Sequence, residues 1–114
     1  MNIKRGEIYL AVLDPVVGNE IAKTRPVLVV SNDINNTHAG TVSVLPITSQ
    51  RLGKIYPFEI FLPQGTGNLP KDSKAKADQI RTLDKTRLVS RIGSLPEQEL
   101  AHAAMAIKIH LELS

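Results

Sequence analysis

Short apolar stretches rich in β-branched residues recur through most of the chain, separated by Pro, Gly, Asn and Asp. Such runs, alternating or continuous, are typical of β-strands. The polar stretches Asn32–Gly40 and Asp84–Leu88 are expected to hold short helical turns, the second with Asp84 as its N-cap. Pro46 is expected to lie at a sheet edge or bulge, because it has no amide hydrogen to donate. The predicted strands are Glu7–Leu13, Pro26–Ser31, Thr41–Thr48, Pro57–Leu62, Ser73–Ile80 and Val89–Ile92.

The C-terminal segment has a helical period instead. Ser94 and Glu97 fit a capping box, and we predict one amphipathic helix over Pro96–Leu113. Short strands followed by one helix indicate a small, partly open β-barrel on which the helix packs. The apolar positions that recur at helical spacing are Leu100, Ala103, Ala104, Ile107 and Leu111.

Length and composition narrow the classes of protein. With 114 residues, 42% of them hydrophobic, the chain fits one globular domain over residues 1–114. The absence of cysteine excludes disulfides, thiolate metal sites and a cysteine nucleophile. The apolar run near the start, Ile8–Leu13, is too short for a signal sequence or a membrane span. We therefore expect a soluble, cytoplasmic protein that does not enter a membrane.

The charge is unevenly distributed. Fourteen basic and eleven acidic residues give a net charge of +3. Seven of the basic residues but only three of the acidic ones lie within Lys71–Arg91. A local surplus of this kind attracts polyanions such as nucleic acid or an acidic protein segment. A solvated basic face would show the same pattern, so charge alone does not decide between the two.

Candidate polar groups lie at the ends of two apolar strands. Arg25 directly precedes the predicted strand Pro26–Ser31, whose continuous apolar sequence indicates burial on both faces. At this strand end its guanidinium could hold a phosphate in a bidentate geometry. It could equally pair with Asp14 or Glu20 on the surface. Thr48 and Ser49 offer hydroxyl donors at the end of another strand, although threonine there is often only a β-former.

Two further groups have alternative interpretations. Period-two spacing would place Lys76 and Asp78 on one strand face, either as a functional pair or as an ordinary surface ion pair. His102 and His110 are separated by about 12 Å of predicted helix, too far to share a metal. His38 lies apart in a polar loop. No cluster has metal-ligand spacing, so we expect no metal site and no cofactor.

Five sequence strings carry a specific resemblance. They are Arg5–Tyr9 (RGEIY), Asp14–Glu20 (DPVVGNE), Thr24–Asp33 (TRPVLVVSND), Pro46–Ser49 (PITS) and Asp78–Asp84 (DQIRTLD). In this order they resemble the MazF/PemK toxins of bacterial toxin–antitoxin systems, from about Lys4 to the C-terminal helix. The resemblance implies a mainly β fold, an SH3-like small barrel of the CcdB/MazF/PemK type with a C-terminal amphipathic helix, assembled as a homodimer.

The resemblance also implies an activity and partners. Members of this family are metal-independent, sequence-specific endoribonucleases that cut single-stranded RNA, typically mRNA. The 2′-hydroxyl attacks its own phosphate and leaves a 2′,3′-cyclic phosphate and a 5′-hydroxyl. A MazE-like antitoxin blocks them by laying a flexible acidic C-terminal segment over the RNA groove.

The matching motifs assign candidate catalytic roles. Arg25 is expected to stabilise the phosphorane charge and is the candidate for the acid, and Thr48 is expected to hydrogen-bond the scissile phosphate. Glu20 and Asp78 are rival general bases, and the sequence leaves the choice open. Lys76 stands where the relatives that use an acidic residue at the position of Asp78 carry arginine.

The remaining site positions are expected to bind RNA. Asn19 stands where many members carry serine or histidine. The positions expected to contact RNA are Asn19, Lys23, Ser49, Lys76, Gln79 and Arg81.

Two other interpretations compete with the nuclease: a CcdB-like gyrase poison and an inactive relative that only binds RNA or antitoxin. The gyrase poison is disfavoured by the intact Arg25–Pro26 and Ile47–Thr48 pairs, and by an end at Leu113–Ser114 without the Trp-Gly-Ile tail.

Overall fold

Seven β-strands and two α-helices form the structure, a computed structural model that describes residues 1–114. The strands are β1 (Glu7–Val12), β2 (Thr24–Val29), β3 (Thr41–Thr48), β4 (Glu59–Leu62), β5 (Ser73–Lys76), β6 (Arg81–Asp84) and β7 (Leu88–Ser94). The helices are α1 (Asp33–His38) and α2 (Glu97–Leu111), and short 3₁₀ turns cover Thr66–Asn68, Ala77–Gln79 and Lys85–Arg87.

All strand pairings are antiparallel, in the order β4-β5-β3-β2-β1-β7. β3 is the longest strand, and on one side it pairs with β6 near its start and with β5 at its end. The outer strands β4 and β7 do not pair with each other, so the sheet stays open. The mainly β class with a C-terminal helix, expected as a partly open barrel, is confirmed.

Both faces of the central strands are buried, which explains their nearly continuous apolar sequences. Ile8 and Leu28 belong to a core cluster on the side of α2, together with Ala103 of that helix. Val27 and Val29 alternate with Leu28 and belong to a second cluster on the opposite face. Arg25 of β2 and Thr48 of β3 lie on this second face, because strand side chains alternate.

Pro46 lies in a central strand, so the prediction of an edge position is wrong. The carbonyl of Ser43 accepts the amide of Val30 on the β2 side. By alternation, the nitrogen of Pro46 faces the other side of β3. There it falls between Val44, which pairs with β6, and Ile47, which pairs with β5. The missing N–H therefore removes no ladder hydrogen bond, because the neighbouring strand changes at this position.

The C-terminal helix is confirmed, but its predicted capping box is wrong. The helix begins at Glu97, its N-cap is Pro96, and no side chain caps it. Ser94 is the last residue of β7 instead, because that strand runs longer than its apolar pattern indicates. Asp84, by contrast, caps the 3₁₀ turn that follows it by accepting the amide of Thr86, as predicted. No helix of the chain combines the length and the apolar character that a membrane crossing needs.

The segment predicted as one strand over Ser73–Ile80 divides into a strand and a turn. β5 ends at Lys76, and the chain then turns through Ala77–Gln79. The amide of Ala77 donates to the carbonyl of Phe58, and the amide of Ile80 closes the turn on Ala77. A further strand, β6, follows where the sequence pattern gave no signal. The turn matters for the site, since it redirects the side chains that follow it.

Candidate active site

The strand register places two predicted site residues, and one lysine that was not predicted, in one row. Val27 of β2 pairs with Pro46 of β3, and continuing this register by two residues places Arg25 opposite Thr48. On the other side of β3, Thr48 pairs with Lys74 of β5. Side chains that are directly opposite in an antiparallel pair share a face. Arg25, Thr48 and Lys74 therefore lie side by side across three strands.

A cleft of about 440 Å³ opens over this row. One wall comes from the loop between β1 and β2, which carries Asn19 and Glu20. The lining includes a single acidic side chain, that of Glu20, against four basic ones. The surface is thus suited to a polyanion. The lining residues are Asn19, Glu20, Ile21, Ala22, Arg25, Thr48, Gln50, Arg51, Lys74, Lys76 and Gln79.

Arg25 is half-buried and keeps most of its donors free. Its Nε donates to the carbonyl of Ala22 at 3.2 Å, which orients the guanidinium plane. It forms no salt bridge with Asp14 or Glu20, so the surface ion pair is not what holds it. The carboxylate of Asp14 accepts the amide of Lys23 instead. The terminal nitrogens of Arg25 are therefore available to an anion in the cleft.

The hydroxyl of Thr48 is oriented by a backbone amide just after the end of β3. Its Oγ1 accepts the backbone amide of Gln50 at 3.1 Å, a local turn contact. A hydroxyl that accepts one hydrogen bond still has its own hydrogen to donate. Thr48 thus presents a donor next to Arg25.

Glu20 is exposed, and one of its oxygens is already engaged. Oε1 accepts the amide of Val17 at 2.8 Å within the β1–β2 loop. The second oxygen has no protein donor, which leaves it able to accept a proton from a substrate. The structure brings Glu20 into the same cleft as Arg25 and Thr48.

Asp78 lines a neighbouring cavity of about 360 Å³, which Glu20 also lines, but not the main cleft. Its Oδ1 is buried without a hydrogen-bond donor and lies 3.7 Å from Nζ of Lys76. The predicted shared strand face for Lys76 and Asp78 is wrong, because Asp78 lies in the 3₁₀ turn after β5. The turn nevertheless brings the two charges near each other. Arg81 lines the same cavity and donates to the carbonyl of Leu13 at 3.2 Å.

A buried charge cluster under the cleft was missed from the sequence. Lys74 and Lys76 both bond the carboxylate of Glu59, at 3.0 and 2.7 Å. Burial alone would raise the pKa of Glu59. The hydrogen bonds from Lys76, from the Tyr56 amide and from Lys74 outweigh it, so that the pKa of this carboxyl lies below its ordinary value. Glu59 faces Lys76 in the β4–β5 register, a long-range pairing that the sequence pattern does not signal.

The remaining predicted RNA-binding residues are spread around the main cleft. Ser49 lines a smaller cavity of about 180 Å³. Arg25 lines both this cavity and the main cleft, so Arg25 joins the two. Gln79 lines both the main cleft and the cavity of Asp78. Lys23 is exposed and lines none of these cavities. Its contact with RNA stays a prediction.

The comparisons with known proteins point to one family. The family model described as the PemK-like, MazF-like toxin of type II toxin–antitoxin system matches residues 4–111. Endoribonuclease MazF9 of Mycobacterium tuberculosis is 42% identical, over 97% of this chain and 98% of that protein. Endoribonuclease EndoA of Bacillus subtilis is 38% identical, over 99% and 97%.

Solved structures agree with these relatives. A crystal structure of MazF from Deinococcus radiodurans has a TM-score of 0.85 at 28% identity and covers 99% of each chain. A MazE–MazF structure from the same organism has a TM-score of 0.78 at 28% identity, over 100% of this chain and 99% of that one. These matches confirm the family expected from the sequence strings, and with it a toxin of the endoribonuclease class. The chain belongs to the PemK-like, MazF-like toxins of type II toxin–antitoxin systems.

Proposed function

We propose that this toxin cleaves single-stranded RNA in the cleft over Arg25 without a metal ion, by attack of a ribose 2′-hydroxyl on its own phosphate. The products are a 2′,3′-cyclic phosphate and a 5′-hydroxyl. The observation that carries the proposal is the row of Arg25 and Thr48, whose unused donors face the same cleft as the carboxylate of Glu20.

The reaction needs a base, charge stabilisation and a proton for the leaving oxygen. Arg25 supplies the charge, because its free terminal nitrogens match two oxygens of a phosphate. Thr48 donates its hydroxyl hydrogen to the same phosphate. A guanidinium stays protonated in proteins, so the leaving 5′-oxygen takes its proton from water that enters the open cleft.

Glu20 is our proposed general base. It shares the main cleft with Arg25 and Thr48, and one of its oxygens is free. Asp78 lies in the neighbouring cavity, beside the ammonium of Lys76. In this assignment the 2′-hydroxyl proton moves to Glu20, which then gives it up to the hydroxide left when water protonates the leaving 5′-oxygen. Asp78 and Lys76 serve to place the RNA.

The bound RNA extends from the main cleft into two adjoining cavities. Arg25 connects that cleft to the cavity of Ser49, and Gln79 connects it to the cavity of Asp78. We propose that neighbouring nucleotides occupy these cavities. Polar groups would read most bases, with Asn19 at the junction, since the chain has only four aromatic residues for stacking.

The proposed partners follow from family membership and charge. The MazE–MazF structure from D. radiodurans supports a MazE-like antitoxin for this toxin as well. An acidic antitoxin segment would suit the basic lining of the cleft. A homodimer, a single functional domain over residues 1–114 and a cytoplasmic location stay predictions of the family resemblance and the sequence.

Cleavage of a long, unstructured RNA in EDTA tests this function, with the cut ends mapped and their chemistry identified. The Arg25→Ala protein is expected to fold and to lose cleavage. Lys108→Ala, which also removes one positive charge but on the exposed side of α2, should cleave normally. If folded, antitoxin-free wild-type protein leaves the RNA intact, the proposal fails, and inhibition of gyrase becomes the next assay.

A further inference from the structure

The loop between β3 and β4, residues 49–58, forms part of the cleft wall, and we call it the cleft loop. Its residue Arg51 lines the main cleft. Arg51 has a φ of 55°, a left-handed backbone conformation that is unfavourable for a residue with a side chain. Such a conformation persists only where surrounding contacts hold it. The cleft loop therefore needs an anchor near Arg51.

Lys74 provides that anchor from beneath the loop. Its Nζ donates to the carbonyl of Arg51 at 2.9 Å, to the carbonyl of Lys54 at 3.2 Å and to Oε1 of Glu59 at 3.0 Å. An ammonium has three hydrogens, so all of its donors are used inside the protein. The side chain is only 4% exposed. Although Lys74 lines the main cleft, its ammonium has no donor left for a phosphate.

Glu59 completes the anchor. Its carboxylate is fully buried and accepts the amide of Tyr56, near the far end of the cleft loop, at 3.0 Å. It also binds Lys74 and, through Oε2, the ammonium of Lys76 at 2.7 Å. One carboxylate thus connects the cleft loop with two basic residues of β5.

The two ends of the cleft loop are held differently. At the β4 end, the ring of Tyr56 stacks on Phe58, with centroids 5.3 Å apart, and Phe58 lies 5.9 Å from the ring of His110 in α2. These contacts fix the end near β4. In the stretch from Arg51 to Lys54, two backbone carbonyls accept hydrogen bonds from Lys74.

We propose that the buried Glu59–Lys74 pair is a positioning element that holds the cleft loop, and with it Arg51, in the arrangement that binds RNA. The inference rests on the proposed RNA cleavage. Neither residue touches the substrate. Their effect on the reaction passes through the placement of Arg51 and Lys76, so the pair governs binding more than the chemical step.

Lys74→Met tests the proposal with little loss of packing. Methionine keeps an unbranched, apolar side chain of similar length while removing the charge and all three donors. Glu59 is not left alone by this change, because Lys76 and the Tyr56 amide still bond it. The matched control is Lys108→Met, at an exposed lysine of α2 that makes no side-chain hydrogen bond.

Limited trypsin digestion reads the loop directly, because trypsin cuts after arginine and lysine and the loop contains Arg51 and Lys54. In Lys74→Met, cutting after these two residues should accelerate about tenfold or more, while the other sites keep their wild-type rates. RNA cleavage should show KM raised about tenfold, with the single-turnover rate at saturating RNA within about threefold of wild type. Lys108→Met should match wild type in both assays.

Glu59→Gln is the second variant, for use if Lys74→Met does not fold. Its amide keeps an acceptor for Tyr56 but loses the charge that holds the two lysines, so the same two changes should occur in milder form. Unchanged cutting after Arg51 and Lys54 in a folded variant would overturn the proposal, as would a fall in the single-turnover rate at constant KM. An inactive wild-type protein would defeat the proposed function instead, while the digestion would still test the anchor.

Discussion

The side-chain amide of Gln79 joins the two walls of the cleft, because its Nε2 donates to the backbone carbonyl of Asn19 at 3.1 Å. Its Oε1 accepts the backbone amide of Ile21 at 3.2 Å. Glu20 lies between these two bonded residues, so Gln79 fixes the backbone on both sides of the proposed base. With both ends of its amide engaged, Gln79 is better suited to positioning Glu20 than to the RNA contact expected from the sequence.

Gln79→Ala should therefore weaken catalysis more than folding. Losing two hydrogen bonds of about 1 kcal/mol each frees the loop that carries Glu20, and we expect kcat/KM to fall by roughly tenfold or more. Gln50→Ala is the control, since it removes an amide that lines the same cleft but makes no side-chain bond to that loop. Steady-state RNA cleavage compares the two variants. Equal effects would assign Gln79 a substrate contact rather than a positioning role.

Glu20 lines the main cleft and Asp78 does not, so substitutions of these two carboxylates should affect the rate of RNA cleavage differently. Glu20→Gln removes the proposed base and should lower the single-turnover rate at saturating RNA by about 10² to 10⁴. Asp78→Asn changes a group in the neighbouring cavity and should cost less than about tenfold in that rate, with its larger effect on RNA affinity. A larger loss for Asp78→Asn would exchange the two roles. Small and equal losses would contradict both assignments.

Two glycines pack against each other near the start of α2, and this contact limits substitution. A Cβ added to Gly93 would lie 2.3 Å from the carbonyl oxygen of Gly67, which is backbone and has little room to move. Gly67 itself has a φ of 56°. Gly93→Ala should thus lower the free energy of unfolding by about 3 kcal/mol, measured by urea denaturation. Gly53→Ala, where a Cβ would meet nothing within 4 Å, should change it by less than about 1 kcal/mol.

Local chemistry explains which parts of the fold could be predicted. β3 was predicted with its observed bounds, Thr41–Thr48, because it has both a regular apolar pattern and clear breakers around it. β6, at Arg81–Asp84, has a single buried apolar residue and was missed. The Ser94 capping box failed for a related reason: β7 continues through Ser94 by pairing with Glu7, a long-range contact that no local pattern encodes.

The site shows the same division between local and long-range information. Arg25 and Thr48 could be proposed from their places at strand ends and from the family strings, and the register then places them opposite each other. The Glu59–Lys74 pair joins strands through partners 15 residues apart. Neither residue has a sequence signature, since a charge in an alternating strand ordinarily faces water.

Tyr9 offers a test of the buried network around Glu7, on the β1 strand. The phenol is 1% exposed and its hydroxyl donates to Oε1 of Glu7 at 3.1 Å. Burial first, and then the hydrogen bond to Glu7 and the negative charge of Glu7, together raise the pKa of Tyr9 from 10.0 to about 12, against the opposing positive charge of Arg91. The folded protein should therefore hold the Tyr9 proton in a pH range where the unfolded chain has released it.

Stability must then fall as the pH rises from about 10 to about 12, because the unfolded state binds fewer protons in that window. Two pKa units correspond to about 3 kcal/mol. Tyr9→Phe has no such proton; near neutral pH it should be about 1 kcal/mol less stable than wild type, and the order should reverse in alkali. Urea denaturation of both proteins across this range makes the comparison, and subtracting the two curves removes the lysines common to both. Parallel curves would mean that the Tyr9 phenol ionises as readily in the folded protein as in the unfolded chain.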